Sequence, residues 1–176
     1  YGQHPKVVAL TYRAMVSSHL GHLDRGARAQ DEALDYARTL GHPFTTAVNL
    51  GIAAAMAPVL RDPSEAQDLC DELLALTATH DFGFWRLQAM VIKGRLLVER
   101  GAVDEGMTLL HEGVDALGEQ GGSSDGSLHL AEACLASGAI EAGLGVVRGV
   151  RAYMAEIHEG MPDNPTGMAA PHAATV

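Results

Sequence analysis

The chain repeats itself. Gly21-His22-Leu23-Asp24-Arg25-Gly26-Ala27 aligns without gaps on Gly101-Ala102-Val103-Asp104-Glu105-Gly106-Met107 and on Gly138-Ala139-Ile140-Glu141-Ala142-Gly143-Leu144. Arg61-Asp62-Pro63-Ser64-Glu65-Ala66-Gln67 fills the same slot, with Arg in place of the leading Gly. These segments open at 21, 61, 101 and 138, steps of 40, 40 and 37 residues. A fixed period of that size marks a stacked array of small units, none of which can bury its apolar face alone.

The unit is helical. β-branched and aromatic residues are sparse, alternation never persists, and apolar residues recur at three- and four-residue spacing between short breaks. The breaks fall at Gly21-His22, Gly41-His42-Pro43, Arg61-Asp62-Pro63, Asp81-Phe82-Gly83, Arg100-Gly101, Gly121-Gly122-Ser123 and Ser137-Gly138, cutting the chain into eight helical segments. Asp62-Pro63-Ser64-Glu65 reads as an N-cap carboxylate, Pro at the first helical position and Glu three residues after the cap. Gly41 followed by Pro43 reads as a helix stop and restart. Pro58 should end or kink the helix it sits in. The expected fold is all-α, an α-solenoid of four antiparallel helix pairs.

Small residues keep the same phase. Seven before each turn stand Ala14, Ala54, Gly94 and Ala131, and five after it Gly26, Ala66, Gly106 and Gly143. They let the two backbones of a pair approach closely, so a Leu at Ala54 or Gly106 should force them apart. Seven residues further on stand Ala33, Leu73, Gly113 and Val150, expected to face the next pair.

This arrangement of small residues about a turn resembles the tetratricopeptide (TPR) pattern, whose eighth position would fall at Ala14, Ala54, Gly94 and Ala131 and whose twentieth at Gly26, Ala66, Gly106 and Gly143. The period exceeds the family's usual length of about 34 residues, which suits a longer-helix branch. Leu40-Gly41-His42-Pro43-Phe44, Phe84-Trp85, Glu99-Arg100-Gly101 with Glu105-Gly106, and the stretch from Leu128 to Gly138 together resemble the helical-repeat region that follows the ATPase module in bacterial class III adenylate/guanylate cyclases and related signalling ATPases. The resemblance spans about residues 5–155. It implies a right-handed TPR-like superhelix and a regulatory or protein-binding role beside catalytic domains placed upstream. A chain opening on Tyr1 rather than Met fits a piece of something longer. The repeat domain is expected over 1–159, with repeats at about 5–42, 43–82, 83–121 and 122–159. Residues 160–176 hold three Pro and no periodicity and read as a flexible tail or linker. Arg151 stands where Leu34, Leu74 and Val114 stand earlier, which suits a terminal capping helix.

Charge removes some partners. Lys plus Arg number 12 against 22 Asp plus Glu, a net charge of −10. Nucleic acid and anionic membrane both call for clustered cations, so neither is expected. No stretch reaches about 18 uninterrupted apolar residues. Cys70 and Cys134 lie far apart with no C-x-x-C, which fits a reducing, cytoplasmic setting.

Each chemical candidate has a plainer reading. His19 and His22 could join a metal site, but they straddle a helix end without a neighbouring Glu and suit a cap or a surface. Asp81-Phe82-Gly83 matches a kinase tripeptide in letters alone, and Lys93-Gly94-Arg95 lacks the glycine loop and strand of a phosphate site. Phe82, Phe84 and Trp85 are expected to fill the space between the second and third pairs. Both cysteines fall at core positions. The carboxylates Asp31, Glu32, Asp35 and Asp68, Asp71, Glu72 could pair for glycoside chemistry but sit on outer faces. No catalytic residue, metal or cofactor is expected, and the chain is not expected to be an enzyme.

What remains is surface. By the resemblance, first helices line a concave groove, formed here by Val8, Thr11, Met15 and His19, then Val48, Gly51 and Ala55, then Gln88, Val91 and Arg95, then Leu128, Glu132 and Leu135. Met15, His19, Gln88, Val91, Arg95 and Glu132 are the partner-binding candidates. Arg86, Lys93 and Arg100, spaced by seven, form a basic stripe on the same helix as Arg95. The expected partner is a protein or peptide segment, or the parent protein's own domains. The leading expectation is a non-catalytic interaction or regulatory scaffold module. The alternative is a module that senses a small effector and controls an attached catalytic domain.

Overall fold

The turn glycines explain why the chain breaks where it does. Gly21, Gly101 and Gly138 adopt φ of +80°, +90° and +79°, a left-handed backbone that side chains with a Cβ resist. At each, the same two hydrogen bonds close the helix before it. Gly21 N–H donates to Ser18 O and His22 N–H to Ser17 O; Gly101 to Val98 O and Ala102 to Leu97 O; Gly138 to Leu135 O and Ala139 to Cys134 O. This is a Schellman cap, repeated in register. The sequence repeat is thus a repeat of hydrogen bonds.

The computed structural model describes residues 2–60, 63–119 and 124–160. It holds eight helices: α1 Pro5–His19, α2 Leu23–Thr39, α3 Pro43–Leu60, α4 Pro63–Thr79, α5 Gly83–Glu99, α6 Val103–Glu119, α7 Ser124–Ala136 and α8 Ile140–Gly160. No strand occurs among the described residues, and the fold is all-α. The breaks expected at Arg61-Asp62 and Gly121-Gly122-Ser123, the cap expected of Asp62, and the tail beyond Gly160 lie outside them. The restart at Pro43 has a cap of its own: Thr45 N–H donates to His42 Nδ1 at 3.2 Å. Pro58 does not end its helix, since α3 continues through it to Leu60. So near a C-terminus, Pro removes a single backbone donor, and the pairing of the earlier turns is untouched.

Each odd helix packs most extensively on the even helix that follows it. The odd helices also meet in series, α1 on α3, α3 on α5 and α5 on α7, and α2, α4 and α6 each meet the next odd helix. Even helices approach one another through side chains, as where Arg38 of α2 reaches Glu72 of α4. The core lies in these seams. Leu34, Ala47, Leu50, Ala53, Leu73 and Ala89 form one cluster. Ala54, Ala57, Ala66, Cys70, Ile92 and Leu96 form a second. Leu87, Met90, Val91, Val98, Leu110 and Leu117 meet Leu130, Ala133 and Cys134 in a third. α3 is long and apolar enough to cross a membrane by composition, with mean hydropathy 1.4 over 18 residues. Thr45, Thr46 and Asn49 interrupt it, and it packs on α1, α2, α4 and α5.

The small residues mark where backbones touch. A Cβ on Gly26 would lie 3.2 Å from Ala14 O, on Gly106 2.6 Å from Gly94 O, and on Gly143 3.3 Å from Ala131 O. Each of these contacts joins the two small positions of one repeat. Gly113 departs from expectation: its Cβ would lie 2.7 Å from Val91 Cγ2 and 3.3 Å from Leu87 O, inside its own pair. The reason is geometric. Seven residues are close to two helical turns, so Gly113 shares the face of Gly106 rather than the face toward the next pair.

Gln30 is out of place in this core. It is 1% exposed, and neither of its amide atoms has a hydrogen-bond partner. Its place in the repeat is held by Cys70 and Leu110 in the next two pairs. A buried amide without partners costs about 1–3 kcal/mol. Gln30→Leu, nearly equal in volume, should therefore stabilise the chain by about 1 kcal/mol, read as a raised urea midpoint at unchanged slope.

Candidate interaction surface

α5 carries the residues the sequence singled out most strongly. Lys93 Nζ lies 2.6 Å from Asp71 Oδ1, and Arg100 hydrogen-bonds Gln67 Oε1; both partners belong to α4. The basic stripe thus turns into the seam between α4 and α5, while Arg86, two turns earlier, is exposed. Arg95 is 9% exposed and pairs with Glu99 one turn along the same helix. Its Nε is buried without a partner.

The expected groove divides in two. Thr11, Val48 and Val91 are buried in the core, and Gly51 is covered by Trp85, whose ring would lie 2.5 Å from a Cβ there. Position counting explains this: Thr11, Gly51 and Val91 each stand three residues before Ala14, Ala54 and Gly94. Three residues are nearly one turn, so they share the seam-facing side with those small residues. Thr11 Oγ1 instead meets Asn49 Oδ1 at 2.8 Å, a buried polar contact between α1 and α3. The remaining candidates other than Arg95 keep access to solvent. Val8, Met15 and Gln88 are half-buried; His19, Ala55, Leu128, Glu132 and Leu135 are exposed. His19 Nδ1 lies 2.7 Å from Met15 O, and Glu132 Oε2 lies 3.3 Å from His129 Nδ1. His22 occupies the N-cap of α2, but its ring makes no capping hydrogen bond.

One phase is exposed on all four odd helices: His19, Val59, Glu99 and Ala136, each two residues before its turn. One turn back stand Met15, Ala55, Arg95 and Glu132. Together they run across the odd helices: Met15 and His19 on α1, the apolar Ala55 and Val59 on α3, Glu99 with the buried Arg95 on α5, and Glu132 with Ala136 on α7. Position counting from the small residues finds this stripe only once the depth of the seams is known.

Two further features escaped the sequence. The acidic runs of α2 and α4 are surface groups, as expected, but they face one another across a cleft of about 240 Å3. Asp31, Asp35, Glu65, Asp68 and Glu72 line it, and Arg38 is the one cation among its lining residues. Arg38 donates from Nε and Nη2 to the two oxygens of Glu72 at 3.1 and 2.5 Å, and that hydrogen-bonded carboxylate raises the guanidinium pKa against the opposing effect of partial burial. The second is α8. Arg151 is exposed, but so are Leu144, Val147, Tyr153 and Met154, so the last helix is no polar cap. Among the described residues no three His, Cys, Asp or Glu side chains gather as a metal site. Phe82 packs edge-on against Phe44 at 5.4 Å and stacks on His80 at 5.5 Å, and Trp85 fills the seam of the second and third pairs.

The cysteines are packing groups. Cys70 and Cys134 are free and buried. Burial, and secondarily Asp71, pushes the Cys70 thiol up to about 12. An unfolded thiol loses its proton near about 8.5. The folded pKa is the higher one, so this contribution to stability is whole below about pH 8.5 and drains as the pH rises toward 12. A thiol-specific reagent at pH 8 should leave Cys70 untouched in the native chain and titrate it in urea. Fast native labelling of Cys70 would contradict its burial.

Compared with protein-family models, curated proteins and solved structures, the chain gives no match.

Proposed function

We propose that the eight helices form four antiparallel pairs stacked into a right-handed, tetratricopeptide-like superhelix, and that the chain is a non-catalytic interaction module. Its odd-helix layer holds a segment of a partner protein. Supporting the pairing, the contacts of α5 and α6 run in opposite order: Gly106 lies against Gly94 and Val98, and Gly113 against Val91 and Leu87. Supporting the role, one observation carries most weight. The phase of His19, Val59, Glu99 and Ala136 stays exposed on every odd helix, whereas the phase of Thr11, Gly51 and Val91 is buried on α1, α3 and α5. A surface kept open at one register position across four repeats is how stacked helices present an extended binding face.

The composition of that face sets the partner's chemistry. Met15, Ala55 and Val59 offer apolar contact, and Glu99 and Glu132 offer charge beyond it, with Arg95 buried against Glu99. A segment with an apolar stretch followed by polar residues fits best. The test is to identify a partner with the intact chain, purify it and titrate it. Ala55→Asp and Val59→Asp should each weaken binding by about tenfold or more, because a carboxylate is placed where apolar contact is made. Both sites are exposed, so melting temperatures should stay within a degree or two. Unchanged affinity in both variants would overturn the assignment of the face. Turnover of a substrate, or strong stabilisation by a small metabolite, would overturn the module's non-catalytic, protein-binding role.

A further inference from the structure

The last helix pair exposes a face that the register marks as a seam. Leu128, Val147 and Met154 stand 37 residues after Val91, Leu110 and Leu117. The earlier three are 0%, 0% and 1% exposed; the later three are 47%, 44% and 52% exposed. Leu128 and Val147 line, with Leu135, Ile140 and Leu144, an open apolar cavity of about 360 Å3, whose one charged lining residue is Glu132. The first helix has the matching defect. Tyr12 and Val16 stand 80 residues before Ile92 and Leu96, which close the seam of the second and third pairs against Ala66 and Cys70. Ile92 and Leu96 are 2% and 1% exposed, whereas Tyr12 and Val16 are 62% and 56% exposed.

We propose that the α7–α8 face receives α1 of a second copy of this chain, head to tail. Tyr12 and Val16 then take, against Gly143 and Val147, the places that Ile92 and Leu96 take against Ala66 and Cys70. The inference rests on the stacked-pair reading above. What selects a second copy is a paired change of chemistry. Within the chain, Arg100 of α5 meets Gln67 of α4. The register equivalents at the two ends are Leu20 and Leu144, 68% and 43% exposed. A polar contact inside the array becomes an apolar contact between its ends, with both partners altered together. The one unfavourable equivalence is Arg13 beside Arg148, standing for Lys93 beside Asp71. Arg13 is already neutralised by Glu32 of its own chain, at 2.6 Å. Such an interface is heterologous, so each added copy leaves one face open at either end, and association does not stop at two.

Sedimentation equilibrium across about two decades of concentration reads the outcome. The intact chain should gain mass with concentration and pass beyond a dimer. Tyr12→Glu/Val16→Glu and Leu144→Glu/Val147→Glu change exposed residues, so both should keep the helical circular dichroism of the intact chain. Each alone should stay a monomer. Mixed, they retain one good face of each kind and should form a dimer that grows no further. A monomeric intact chain, a variant that self-associates alone, or a mixture that stays monomeric overturns the proposal. A separate variant, Gln67→Cys/Arg100→Cys, reports on the stacking itself when treated with a short bismaleimide cross-linker, whose reach covers the span of the two long side chains it replaces. Its failure to cross-link would count against the stacked-pair reading. Cross-linking in a chain that remains monomeric would count against the head-to-tail junction alone.

Discussion

Gly106→Leu is expected to cost about 3 kcal/mol of unfolding free energy, and Gly106→Ala about 2 kcal/mol. The steric reason lies in the backbone. The first added carbon would sit 2.6 Å from Gly94 O, 2.7 Å from Val98 Cγ2 and 2.8 Å from Val98 N. A carbonyl and an amide of a neighbouring helix cannot turn aside as a flexible side chain can. The two helices must separate, loosening the cluster that Val98 and Leu110 share. Gly118 supplies the control, on the same helix. A Cβ there meets nothing within 4 Å. Gly118→Ala should therefore stabilise by up to about 1 kcal/mol, because alanine restricts the unfolded chain and favours helix. Opposite signs for one chemical change on α6, measured as urea midpoints, would confirm the close approach. Equal shifts would show that the small residues are accidental.

Leu110→Ala is expected to cost about 3–4 kcal/mol. Leu110 is wholly buried among Leu87, Met90, Val91, Val98 and Leu117, and α7 adds Leu130, Ala133 and Cys134. Removing three carbons leaves a cavity shared by three helices, which cannot all close on it. Val147 holds the same position in the repeat. In the dilute single chain, Val147→Ala should cost less than about 0.5 kcal/mol, because Val147 is exposed and no described helix covers it. The comparison isolates the contribution of stacking from that of the residue itself. Chemical denaturation of both variants, at a concentration too low for association, decides it.

The contrast between those two positions also separates what was legible from what was not. Helix boundaries could be read from local chemistry. Gly21, Gly41, Gly101 and Gly138 each mark a left-handed turn, and Pro43 begins α3 as its spacing implies. The small residues Gly26, Gly106 and Gly143 could be matched to their partners because both members of each contact keep a fixed distance from a turn. The candidate surface was only partly legible. Met15, His19, Ala55 and Glu132 retain solvent access, but Thr11, Val48 and Val91 sink into seams, and Gly51 lies under Trp85. Counting along a helix tells which residues share a face. It does not tell how deep the neighbouring pair sits on that face.

The sequence by itself determined the period, the helical segments, the helix ends at Gly21, Gly41, Gly101 and Gly138, and the small residues at which backbones meet. Those depend on interactions within a few residues of the chain: φ at a glycine, a capping donor, apolar spacing along one helix. The tertiary structure alone decided which apolar phases are core and which are surface. Val91 and Leu128 occupy one register position, as do Leu110 and Val147, yet the first of each is buried and the second open. α7 packs on α5 and α6 in the cluster that holds Val91 and Leu110, and no described helix covers Leu128 and Val147 in that way. The tertiary structure alone also brought the carboxylates of α2 and α4 together across one cleft, turned Lys93 and Arg100 toward α4, and left apolar residues of α1, α7 and α8 exposed. Each outcome depends on residues more than twenty apart in the chain meeting in space, and a repeat that is uniform along the sequence carries no local mark of which of its apolar positions a neighbouring helix covers.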